Sequence, residues 1–186
     1  TALISNICMI YFFIMKEQAI EKSKLLNLNL KFNNIELYSL YSLSILIPLV
    51  IGKPQLLVGS CINFLIVFTT LKYGIKKSIP VLLLPSITAT AVGVLFEGAT
   101  YFLIYVMPFI MLSNFLLSYF ASKRKIYTYA LGILLKGGFL FIAYSAMNRL
   151  IGLPLALLSS INIQFITAFI GTTIAVVLFR ATERAQ

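Results

Sequence analysis

Residues 127–147 read YTYALGILLKGGFLFIAYSAM, an apolar run broken by a single charge, Lys136. A run of roughly 20 residues is long enough, as a helix, to cross the ~30 Å hydrocarbon core of a bilayer. A charged side chain held at that depth costs a few kcal/mol on insertion scales. Lys136 is therefore expected to face other helices or a water-filled cavity, not lipid. Gly137 and Gly138 follow it and remove side-chain bulk, so a partner helix or a ligand can come close to the backbone. Two readings of Lys136 stay open. It is a cationic binding or coupling residue, or it is a lysine that snorkels or donates to a neighbouring carbonyl.

The rest of the chain agrees with a membrane setting. Of 186 residues, 60% are hydrophobic and 11% charged, with a mean hydropathy of +0.99. No ordinary soluble domain has that balance. Asp, His and Trp are absent. Without His the chain lacks the commonest metal ligand and the usual near-neutral general base. Cys8 and Cys61 sit in separate apolar stretches and read as small buried hydrophobes, with a disulfide left open. An opening at Thr1, not Met, fits a fragment.

Three regions follow in order: an N-terminal segment and linker over 1–34, a transmembrane domain over 35–180, and a tail over 181–186. Residues 1–15 are apolar but short for a span. They read as the end of a truncated helix, an interfacial segment or a signal-anchor remnant. The linker carries Lys16, Lys22, Lys24 and Lys31 and reads as a surface segment. Six spans are expected, near 35–51, 56–72, 79–95, 100–120, 127–147 and 160–179, giving an all-α, six-helix transmembrane bundle. Pro85 and Pro108 fall inside spans, where each removes one helix hydrogen bond and kinks the helix or opens a site.

The charges set a sidedness. Lys72, Lys76, Lys77, Lys123, Arg124, Lys125, Arg180 and Arg184 join the four linker lysines on one side. The other side holds only Lys53, Glu97 and Arg149. This asymmetry predicts a cytoplasmic location for both ends of the six-span unit. It also accounts for the net charge of +10 as topology charge beside anionic lipid, with no call for nucleic acid.

No catalytic constellation is visible. The serines have no His or Asp partner, no Walker motif occurs, and the five Glu are not clustered within the spans. What stands out is polar side chains inside apolar spans: Asn63, Ser86, Thr88, Thr90, Asn114, Lys136, Asn162, Gln164 and Thr167. Such residues serve as packing glue or as ligand contacts. Gln55, Glu97, Tyr101, Tyr105, Asn148 and Arg149 fall near helix ends on the non-cytoplasmic side, where they suit a pocket opening outward or an interfacial belt. The set expected to bind a solute is Asn63, Ser86, Thr88, Glu97, Asn114, Lys136, Asn148 and Gln164. No cofactor or metal is expected.

Three stretches, LLVGSCINFLIVFTTLKYG, LLLPSITATAVGVL and YVMPFIMLSNFLLSYFASKRKIYTYALGILLKGGFLF, resemble the substrate-binding S components of energy-coupling factor (ECF) transporters. The nearest group is a set of small S-component-like proteins sometimes labelled "iron hydrogenase". The likeness rests on Asn63, Pro85-Ser86, Met107-Pro108-Phe109, Ser113-Asn114 and Leu135-Lys136, and extends over roughly 35–180. It implies a six-helix bundle with cytoplasmic ends that captures a small, vitamin-like nutrient outside. It also implies partners: a transmembrane coupling subunit and two ATPase subunits that drive uptake. One departure is visible. Ser39, Ser42 and Ser44 of the first span lack the Ala-x-x-x-Ala-like spacing through which S components commonly dock. Two distant cysteines also cannot hold an iron–sulfur cluster, and the lack of His argues against a nickel or cobalt cargo. The alternative is a non-catalytic scaffold or assembly subunit of a membrane complex. A lipid-modifying enzyme ranks last, for want of an acid or His cluster.

Overall fold

The computed structural model describes residues 34–51, 53–93 and 102–184, apart from the side chain of residue 156. Within them all regular structure is helical. The helices are α1 (Asn34–Val50), α2 (Gln55–Tyr73), α3 (Ile75–Val92), α4 (Leu103–Ala121), α5 (Ile126–Ile151) and α6 (Leu155–Arg184). The apolar segment over 1–15 and the basic linker up to residue 33 lie outside the described residues.

Helices α2 to α6 are long and apolar enough to cross a membrane, whereas α1 is shorter. That makes the chain a multi-pass membrane protein, with five helices of spanning length where the sequence predicts six spans. Large apolar side chains cover the outside. Leu134, Phe141, Phe169 and Val177 are each more than half exposed, which would be an aggregation hazard in water and is ordinary against lipid tails.

The turns explain where the element ends differ from expectation. Gly74, at φ 82, closes α2 and is also the residue from which α3 starts. A residue with a Cβ rarely adopts that φ. Lys76 and Lys77 therefore occupy the first turn of α3, not a loop. Gly152 ends α5 in the left-handed region, and Pro154, with its φ already near the helical value, stands just ahead of α6. Helix α6 thus begins at Leu155, earlier than the expected span at 160, which places Asn162, Gln164 and Thr167 in its interior, not at its opening.

The chain divides into two units, residues 1–39 and 40–186. In the first, the described residues form the opening of α1, where the Ser39 hydroxyl donates back to the Ile35 carbonyl. In the second, the core forms two clusters. One gathers Leu65, Ile66, Leu71, Val81, Leu117 and Phe179. The other gathers Leu103, Val106, Leu140, Tyr144, Leu157 and Ile161. Helices α2 and α6 lie backbone to backbone. A Cβ placed on Gly171 would stand 2.6 Å from the Phe64 nitrogen and the Ser60 oxygen, closer than real side chains approach, so only glycine fits. Close approach through small residues is a usual basis for helix association in lipid, where tails are as apolar as leucine.

The basic residues gather at one end of this second unit. Arg124, in the α4–α5 turn, donates one N–H to the Leu71 carbonyl near the end of α2 at 2.6 Å and another to Glu183 near the end of α6 at 3.3 Å. Tyr41 donates to the Lys77 carbonyl at 2.6 Å. The helix ends bearing Lys72, Lys76, Lys77, Lys123, Lys125, Arg180 and Arg184 are thereby drawn together. Just beneath, Thr70 and Ser118 share a buried hydroxyl contact at 2.7 Å, tying α2 to α4.

Candidate functional site: a buried lysine at the base of a cavity

Three spans contribute one polar side chain each to a single buried cluster. The Lys136 ammonium of α5 donates to Asn63 Oδ1 of α2 at 2.5 Å and to Asn114 Oδ1 of α4 at 2.6 Å. All three residues are almost fully buried, Lys136 at 2% exposure. Each amide then uses its nitrogen elsewhere. Asn63 donates to Thr167 Oγ1 of α6 at 3.2 Å, and Asn114 donates to the Leu82 carbonyl of α3 at 3.2 Å. The Thr167 hydroxyl in turn donates to the Gln164 carbonyl. Five helices are thus joined through one ammonium. The sequence places the three key side chains on helices for ordinary reasons: each sits in an apolar run of spanning length, so its polar atoms must find partners inside the bundle.

Pro85 helps to explain one of these partners. It has no N–H for the carbonyl four residues back, that of Val81, and Asn114 bonds the next carbonyl along, at Leu82. Gly137 meets a similar need from the other side. A Cβ there would run into the ring of Phe165 on α6, whereas one on Gly138 would meet nothing within 4 Å. Of the two glycines beside the lysine, one makes room for a neighbouring helix and the other faces open space.

Above the cluster lies a cavity of about 90 Å³. Lys136, Asn63 and Asn114 line its inner part. Gln55, Gly59, Ser86, Tyr144 and Gln164 are also among its lining residues. Gln55 opens α2 and Leu103 opens α4, so the cavity extends from mid-bundle toward the end away from the basic residues.

Five of the eight expected binding residues therefore share one cavity: Asn63, Ser86, Asn114, Lys136 and Gln164. Thr88 does not line it; it is half-buried on α3, next to Ala89, which does. Asn148 has a different task, accepting the Leu153 N–H at 2.9 Å and closing the turn after α5. Glu97 lies outside the described residues, as does Tyr101. Gln55, Gly59, Tyr144 and Thr167 are cavity or network residues absent from the expected set. Gln55 and Thr167 carried a usable signal as polar groups near or within spans. Gly59 and Tyr144 carried none, since only the packing of α6 on α2 and of α5 on α4 brings them there.

Among the described residues no three His, Cys, Asp or Glu side chains gather to hold a metal ion. Cys61 carries no disulfide, and Cys8 lies outside the described residues. Comparison with known proteins gives no match to any family model, curated sequence or solved structure.

Proposed function

We propose that this chain is a membrane-embedded solute-binding subunit of an ECF-type importer. In this reading it captures a small nutrient from outside the cell and delivers it through a transmembrane coupling subunit with two ATPase subunits. It performs no catalysis of its own. The observation that carries the reading is the cavity ending on Lys136, Asn63 and Asn114. An ammonium buried in mid-bundle is expensive and tends to mark a solute or ion site. The grouping of basic residues at one end supports it further, because the positive-inside tendency then turns that end to the cytoplasm and the cavity toward the exterior. The likeness in Asn63, Pro85-Ser86, Ser113-Asn114 and Lys136 supplies the transporter class.

The test is purification from membranes, followed by mass spectrometry of both bound small molecules and retained proteins. The expected result is a stoichiometric solute and an ATPase-bearing partner. Recovery of neither removes the proposal.

A second reading, a scaffold subunit of a larger membrane complex, draws on the same network. Each asparagine uses both ends of its amide within the protein, as a purely structural clamp would. That reading expects a stoichiometric protein partner with no solute, and Lys136→Met should leave partner binding intact.

A further inference from the structure

The polar cluster has a donor and a charge left over. An ammonium carries three N–H donors, and Asn63 and Asn114 take two of them. Lys136 lines the cavity, so the third is available to a group that enters it. The charge is also unanswered locally among the described residues. Among the described residues, no carboxylate lines the cavity. The acidic side chains among the described residues are Glu36, on the opening of α1, and Glu183, which pairs with Arg124 at the basic end. Amide oxygens solvate a cation but do not neutralise it. A buried charge is stable when paired, and here a diffusible counter-ion is the natural partner.

Size narrows the choice. The cavity measures about 90 Å³. It is well below the ~300 Å³ at which pockets for drug-sized ligands begin. A carboxylate or phosphate group fits such a space; a whole vitamin does not. Ser86 and Gln164, also on the wall, supply neutral hydrogen-bonding groups for the remaining oxygens.

We infer that the solute presents an oxyanion to Lys136, so that the cargo is either a compact anion or a larger nutrient that inserts its acidic end. This rests on the solute-binding reading above and specifies the chemistry of that same site.

The experiment uses the whole chain in detergent or nanodiscs and reads thermal stability and calorimetric binding at fixed ionic strength. The compact probes are acetate, lactate and inorganic phosphate, with acetamide and lactamide as neutral matches. Benzoate and benzamide test insertion of an acidic end by a larger molecule. At least one anion should stabilise the protein while its amide does not. Lys136→Met should weaken that anion by about tenfold to a hundredfold, the range of one charge-assisted hydrogen bond. Lys136→Arg should retain much of the binding. Should Lys136→Met fold poorly, Gln164→Ala leaves the lysine clamp intact and should still lower anion affinity. A response to phosphate or acetate alone marks a compact cargo, and a response to benzoate marks an inserted acidic end; either supports the inference. Amides that bind as well as their acids, or anion binding indifferent to Lys136→Met and Gln164→Ala, overturn it and leave the solute-binding reading standing. If no anion or amide binds, the inference is overturned as well, and if no solute or ATPase partner co-purifies either, the solute-binding reading falls with it.

Discussion

Lys136 and Asn114 hold three helices in register: Nζ of α5 donates to Oδ1 of α4 at 2.6 Å, and the same amide donates onward to the Leu82 carbonyl of α3 at 3.2 Å. The amide is satisfied at both ends, so its orientation is fixed and the ammonium is held in turn. Removing either partner leaves a buried group exposed to apolar surroundings, which is where the energetic penalty lies.

The first prediction concerns that penalty. Asn114→Leu takes away one acceptor from a buried ammonium and one donor from the Leu82 carbonyl. It should destabilise the protein by about 1–3 kcal/mol, the cost of leaving a buried polar partner unsatisfied. Adding Lys136→Met to Asn114→Leu should recover part of the loss, because the orphaned charge goes too. Unfolding in mixed micelles, arranged as a double-mutant cycle, measures the coupling; strictly additive effects would show that the two side chains do not act together.

The glycines give a second, steric prediction. Gly171→Ala sets a methyl 2.6 Å from the backbone of α2 and should cost about 1–3 kcal/mol as an overpacked site. Gly138→Ala meets nothing within 4 Å and should gain about 0.5–1 kcal/mol from helix propensity. Melting temperatures of the two variants should move in opposite directions. A shift of equal sign in both would contradict the close approach of α2 and α6.

Arg124 separates a hydrogen bond from an ion pair. Its pairing with Glu183 is roughly half exposed on both sides, a setting in which such pairs contribute about 0–1 kcal/mol. Its N–H bond to the Leu71 carbonyl is shorter and better sheltered. Arg124→Ala should therefore lower stability by about 1–3 kcal/mol, and Glu183→Gln by far less. If Glu183→Gln proves as harmful as Arg124→Ala, the ion pair and not the helix-end contact holds this end.

Orientation is the fourth. With Cys8 and Cys61 replaced by serine, a cysteine introduced by Lys123→Cys should react with impermeant maleimide only in inside-out vesicles. One introduced by Gln55→Cys should react only in right-side-out ones. The reverse pattern would turn the cavity toward the cytoplasm and remove the case for uptake from outside.

Much of this architecture is legible in the amino-acid order. Helix number and approximate extent follow from apolar run length. Lys136 draws notice because charge is rare at bilayer depth, and Asn63 and Asn114 because amides are rare in such runs. The convergence of those three is not legible. Nothing in a period of 3.6 residues tells which helices neighbour one another, and the α2–α6 pairing arises from Gly171 meeting the backbone of residues 60 and 64. Asn148 shows the opposite error. A polar residue near a helix end looks like a pocket rim but serves the backbone of its own turn. Thr88 fails more narrowly, one position along α3 from the lining residue Ala89.

The lysine clamp also closes the bottom of the cleft. Toward the basic end Leu65, Ile66, Val81 and Leu117 pack in the core, and Thr70 and Ser118 bond to each other, so under the proposed function a solute would meet a dead end there. Under the proposed function, emptying the cavity on the far side would require either that the clamp come apart or that the helices carrying it tilt, and neither is work that a static chain performs unaided.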